Sequence, residues 1–122
     1  MPSRFTELVI DCADPARVAE FWAGVLEYAV IDRGPQGEVE IGGKRDGAPT
    51  LVFVPVPEPK TVKNRVHIDL NPTGADQEAE LERLLALGAR RVDVGQGDDV
   101  TWVVLADPEG NEFCVLRARE QE

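Results

Sequence analysis

The chain has 122 residues, 43% hydrophobic and 30% charged, which suits one folded domain with a single core and excludes a disordered tract. Its 13 Lys and Arg stand against 23 Asp and Glu, and the net charge of −10 repels nucleic acid and anionic membrane as partners. No stretch approaches the ~18 apolar residues of a membrane span, and Met1-Pro2-Ser3-Arg4 carries no apolar leader, so the expected location is the cytoplasm.

Residues Phe5 to Cys12 (FTELVIDC) are short and partly alternating, as a strand requires. Asp14-Pro15 then supplies an N-cap and a proline at the first helical position. From there Val18, Phe21, Trp22, Val25 and Leu26 recur on one helical face and predict a helix that packs on a sheet. Three strand-like runs follow: Tyr28 to Asp32, Glu38 to Ile41 after the Gly34 to Gly37 turn, and Thr50 to Val56. The proline-rich segment Pro55 to Lys60 cannot continue a central strand and reads as a connector.

The order then begins again. Arg65 to Asn71 predicts a strand, and Asp76 to Leu87 a helix with Leu81, Leu84 and Leu85 on one face, ended by Gly88. Strands are expected at Arg91 to Val94, Val100 to Ala106 and Asn111 to Arg117, the last two joined by an Asp107-Pro108-Glu109-Gly110 turn. Both halves thus read strand, helix, strand, strand, strand, with module one at residues 1–60 and module two at 61–122 of a single domain.

Alternation along the strands separates two faces. Leu8, Ile10 and Cys12 oppose Glu7, Val9 and Asp11; Val66, Ile68 and Leu70 oppose His67, Asp69 and Asn71; Phe113 and Val115 oppose Glu112, Cys114 and Leu116. The apolar faces must meet the helices, because no other large burial is open to the chain. The polar faces are a solvated surface if the sheet is flat and a cavity lining if it curls. Cys12 and Cys114 belong to no CxxC pair and imply neither a zinc knuckle nor a disulfide framework.

Four stretches, ELVIDCADPARVAEFWAGVLEY (Glu7 to Tyr28), NRVHIDL (Asn64 to Leu70), LLALGA (Leu84 to Ala89) and LADPEGNEFCVL (Leu105 to Leu116), span both halves. In them the chain resembles the vicinal oxygen chelate superfamily, which includes glyoxalase I, extradiol dioxygenases and bleomycin-resistance proteins, and within it the glyoxalase-like subgroup. The resemblance implies an α+β fold in which two βαβββ modules form a curled mixed sheet around a cavity. In metal-dependent relatives, four ligands come from the first and last strands of each module. Carried over, His67 falls on the second module's histidine position and Glu7 on the first module's, while Cys114 stands where the final strand normally offers Glu. The last strand of the first module, Leu51 to Val54, offers no ligand.

The reading carried forward is a small-molecule pocket without a complete metal site, binding an apolar or aromatic metabolite, with Glu7, His67 and Glu112 as candidate acids or bases. Asp11, Asp69, Trp102 and Cys114 are candidate substrate contacts. Trp102 offers a stacking surface or plain packing, and Asp69 suits a role in accepting backbone hydrogen bonds. Lys63, Asn64 and Arg65 offer an anion contact at the rim or a solvated basic patch. One alternative is a lyase, isomerase or dioxygenase that holds zinc, iron, manganese or nickel on Glu7, His67 and Cys114. A second is a drug- or metabolite-sequestering protein without chemistry. The resemblance also implies a homodimer.

Overall fold

The structure is a computed structural model that describes residues 2–93 and 101–117. The chain divides between Pro59 and Lys60 into two compact units, one per module.

In the first unit, strand β1 (Glu7–Cys12) leads into helix α1 (Pro15–Leu26), followed by β2 (Ala29–Arg33), β3 (Val39–Gly42) and β4 (Thr50–Pro55). The sheet order is β1-β4-β3-β2, with β1 parallel to β4 and the other pairs antiparallel. Asp14 caps α1 by accepting the Arg17 N–H, and Pro15 needs no such partner. Of the expected stripe, Val18, Phe21, Trp22 and Val25 are buried, together with Pro15 and Ala19, in a helix that packs on β3 and β4, while Leu26 is only half-buried. There they meet Val39, Ile41, Leu51 and Phe53, all buried. Each fully buried side chain of this kind stabilises the fold by about 1.5–3 kcal/mol. Phe21 and Trp22 meet edge to face, with centroids 5.4 Å apart. The helix stops at Glu27, which takes a left-handed conformation (φ 57°) while the Tyr28 N–H bonds the Ala23 carbonyl.

The second unit repeats this plan. Strand β5 (Ile68–Leu70) precedes α2 (Gln77–Leu87), then β6 (Arg90–Arg91), β7 (Val103–Ala106) and β8 (Glu112–Val115). The order is β5-β8-β7-β6, with β5 parallel to β8. Asp76 caps α2 through the Ala79 N–H, and Gly88, at φ 123°, ends it as the glycine there required. The fold is therefore α+β with two βαβββ modules, each carrying its own four-stranded mixed sheet.

Several expected strands are shorter than their alternation suggests. Residues 65–67 lie outside β5, because the backbone just before them is held by side chains instead of a strand ladder. The strand expected from Arg91 begins at Arg90 and ends at Arg91, and β7 starts at Val103, so Trp102 precedes a strand instead of lying in one. Val94 and Val100, expected at strand ends, lie outside the described residues. The Asp107–Gly110 turn forms as expected: the Gly110 N–H reaches the Asp107 carbonyl at 2.8 Å, and Gly110 takes φ 91°. Among the described residues, no helix is long and apolar enough to cross a membrane.

Candidate functional site

The second module's sheet has one face packed in its core, where Phe113, Val115 and Leu105 are fully buried. Its other face carries the polar residues that alternation separates from them. Parallel pairing sets Asp69 of β5 beside Cys114 of β8, and antiparallel pairing sets Val104 of β7 on the other side of Cys114. His67, in the segment just before β5, brings its ring to the same face, beside Asp69. Above this face opens a cavity of about 230 Å³ lined by Lys63, His67, Asp69, Trp102, Val104, Glu112, Cys114 and Leu116.

At its centre His67 Nδ1 stands 3.0 Å from Asp69 Oδ1, with Cys114 Sγ 3.9 Å from the same nitrogen. A carboxylate can only accept, so the imidazole Nδ1–H donates to Asp69. Burial, together with the charge and hydrogen bond of Asp69, pushes the Cys114 thiol up to about 11, against a small opposing pull from Lys63. The thiol is thus a protonated donor to Asp69 and not a resting nucleophile. Donor atoms of His67, Asp69 and Cys114 all lie within 4.8 Å of one another, a nitrogen, oxygen and sulfur set that suits zinc or iron.

Glu112 sits in a different setting on the same strand. One carboxylate oxygen accepts from Lys60 Nζ at 3.0 Å and the other from the Asn64 N–H at 3.0 Å. Burial alone would raise this carboxyl, but the Asn64 and Lys60 bonds outweigh it and hold Glu112 below its usual range. The clamp continues through Asn64 Nδ2 to Asn111 Oδ1 at 2.9 Å, and from Asn111 to the fully buried Asp107. Asp107 in turn accepts the Glu109 and Asn111 N–H groups, each at 2.9 Å. The turn chemistry of residues 107–111 therefore anchors the carboxylate at the cavity wall.

Trp102, 39% exposed, reaches the cavity from the segment before β7. That segment is tied to the module by Gln77 Nε2, which donates to the carbonyls of Thr101 at 2.9 Å and Val115 at 3.1 Å. Of the candidate residues named from sequence, His67, Asp69, Trp102, Glu112 and Cys114 meet at this cavity. Glu7 and Asp11 lie in the first module, exposed on the face of β1 opposite its core. In β4 of that module Leu51 and Phe53 turn into the core, leaving the half-exposed Val52 and Val54 on the other face, so the strand presents no ligand. A larger groove of about 540 Å³ near Tyr28, Gly43, Lys44 and Arg45 gathers no comparable cluster of donor atoms among the described residues.

Sequence reasoning missed Lys60 and Val104. Val104 was recoverable by carrying the alternation of β8 across to β7; Lys60, counted as part of a proline-rich connector, gave no local signal.

A profile for the glyoxalase-like domain matches residues 7–116. Comparison with curated proteins gives no significant match. Among solved structures, the chain is similar to a glyoxalase/bleomycin resistance protein/dioxygenase family enzyme from Burkholderia phytofirmans, at 19% identity and TM-score 0.68, covering 93% of this chain and 97% of that one. It is also similar to the fosfomycin resistance protein FosX from Mesorhizobium loti, at 15% identity and TM-score 0.70, over 98% and 95% of the two chains. FosX from Listeria monocytogenes, in a structure with Mn(II) and sulfate, matches at 14% identity and TM-score 0.74 over 98% and 93%. With the family profile spanning nearly the whole length, the chain belongs to the glyoxalase-like domain family.

Proposed function

We propose that the second module binds a small metabolite with an apolar body in the cavity above its sheet. The observation that carries this reading is the pairing, in one cavity, of an apolar wall made by Trp102, Val104 and Leu116 with the His67–Asp69–Cys114 cluster. Such a combination of apolar area and a few convergent polar groups is how small-molecule sites achieve both affinity and orientation. Asp69 fixes the imidazole so that Nε2 is the acceptor, and a ligand hydroxyl or N–H is the matching donor. Glu112 serves this site as a structural anion, because both its oxygens are already engaged and its proton affinity is low.

Calorimetric titration with phenol and p-cresol tests the reading. Saturable binding that weakens about tenfold or more in Trp102→Ala and in His67→Ala is the expected result, since each change removes a buried contact or an oriented hydrogen bond. Unsaturable, variant-independent heats would overturn it. Recovery of a bound ligand unchanged after long incubation points to sequestration, and its conversion to enzymatic turnover.

A second reading is favoured by the convergence of three donors within 4.8 Å. In it His67, Asp69 and Cys114 hold a divalent ion, with Asp69 of the same module in the place that the sequence reading gave to Glu7. A bound ion would supply Lewis-acid polarisation of a ligand oxygen. The protein's own part is to exchange the thiol proton for the metal and to keep the imidazole oriented. Stoichiometric metal in purified protein, lost in Cys114→Ser and in Asp69→Asn, would establish this reading; metal-free protein that takes up no Co(II) would remove it.

A further inference from the structure

We propose that Cys114 makes the His67–Asp69–Cys114 set a site for a thiophilic divalent ion of the zinc and cobalt class, and turns it against manganese. The inference rests on the metal reading above and assigns the class of ion and the side chain that selects it.

The geometry of the donors leads to it. Parallel pairing of β5 with β8 sets Asp69 beside Cys114, and His67 Nδ1 stands 3.0 Å from Asp69 Oδ1 and 3.9 Å from Cys114 Sγ. Donors on one tetrahedral ion, with bonds of about 2.0–2.3 Å, lie about 3.3–3.8 Å apart, so both separations are close to those an ion requires. Two hydrogens now occupy that position: the imidazole Nδ1–H and the Cys114 thiol both donate to Asp69. An ion replaces them both. The thiol proton leaves to solvent, the ring proton moves from Nδ1 to Nε2, and the Asp69 carboxylate accepts the ion in their place.

Sulfur decides the class. Thiolate and imidazole are the donors that zinc and cobalt favour, and only the third donor, a carboxylate oxygen, is of the kind that manganese favours. Manganese also prefers six positions rich in oxygen. The other carboxylate at the cavity wall, Glu112, does not supply one, because its two oxygens are held by Lys60 and the Asn64 N–H. Three protein donors with a fourth position open to the cavity suit a four-coordinate ion instead.

Zinc exceeds manganese even at sites built of nitrogen and oxygen, so the test must read how far the preference depends on sulfur. The full chain, stripped with chelator, is titrated with Co(II), Zn(II) and Mn(II). Co(II) is expected to give a thiolate-to-cobalt charge-transfer band in the near ultraviolet with the intense visible bands of a four-coordinate ion. The charge-transfer band should be absent in Cys114→Asp and Cys114→Ser, and the ratio of Zn(II) to Mn(II) affinity should fall by about tenfold or more in Cys114→Asp. Cys114 is buried, so thermal melting of each variant without metal is the control, and the wild-type spectrum decides the sulfur contact whether or not a variant folds. Cobalt bound without the charge-transfer band, or a zinc preference unchanged in the folded variants, overturns Cys114 as the selecting ligand while leaving the metal reading standing. Mn(II) bound by wild type as tightly as Zn(II) overturns the class of ion. Failure to take up any of the three ions overturns both the inference and the metal reading beneath it.

Discussion

The two modules share one plan of strands and differ in what they do with it. In the first, α1 buries six residues and Trp22, Phe53 and Ile41 are among the largest fully buried side chains. In the second, α2 buries only Leu81 and Leu84, and a carboxylate, Asp107, is among the fully buried groups. The first module's outward strand face holds Glu7, Val9 and Asp11 without a convergent donor cluster among the described residues. The second module's face holds the cluster and the cavity. Both copies of the plan are packed, and the second also carries the polar cluster and a buried carboxylate that packing alone would disfavour.

The largest test of that contrast is truncation of the two helix anchors. Trp22→Ala should cost about 3–5 kcal/mol and Leu84→Ala about 2–4 kcal/mol in urea unfolding, because each leaves a cavity at a fully buried position. A greater loss at Leu84 would break the assignment of the heavier core to module one. Next in size is Asp107→Ala, which strands the Glu109 and Asn111 N–H groups and should cost about 2–3 kcal/mol. Asp107→Asn, which keeps one acceptor oxygen, should cost visibly less.

Glu112→Gln sharpens the comparison through pH. The wild-type carboxyl has a lowered pKa when folded, so its stabilisation is complete above the unfolded value near 4.5 and is lost as pH falls through the folded one. The variant should therefore be less stable by about 1–2 kcal/mol at neutral pH, with the gap closing in acid. A gap that persists unchanged below pH 3 would show that Lys60 and Asn64 do not act through the ionised form.

Cys114 gives a chemical readout. A thiol at about 11 instead of 9.0 holds roughly a hundredfold less thiolate, so iodoacetamide should label it correspondingly slowly in native protein and readily after unfolding. Its labelling rate should climb as pH rises from 9 towards 11. Rapid native labelling at neutral pH, mapped to Cys114 by mass spectrometry, would disprove the hydrogen bond to Asp69. The smallest effect is expected at Glu27→Gly. Relief of its left-handed backbone should raise stability by about 0.5–1 kcal/mol, seen as a small increase in Tm.

What the sequence alone determined is whatever depends on near neighbours. The period of α1, the caps at Asp14 and Asp76, the Asp107–Gly110 turn and the separation of Phe113 from Glu112 and Cys114 all follow from steric and hydrogen-bonding rules that operate over a few residues. The candidates on the second module's polar face were legible for the same reason, since alternation is a local property of a strand. Strand length was overestimated at β5 because alternation continues into residues 65–67, which follow an Asn64 N–H held by the Glu112 side chain and lie outside the strand.

Only the tertiary structure decided which partner each polar group takes. Glu112 could equally have faced solvent, a metal or a substrate; it faces Lys60, 52 positions away, because the segment leading to β5 passes beside β8. Asp69 and Cys114, expected as substrate contacts, are brought side by side and against His67 by the register of two parallel strands separated by more than forty residues. Coulomb energy and hydrogen-bond geometry change steeply over a few ångströms, and those distances are set by strand register across the fold, not by position along the chain.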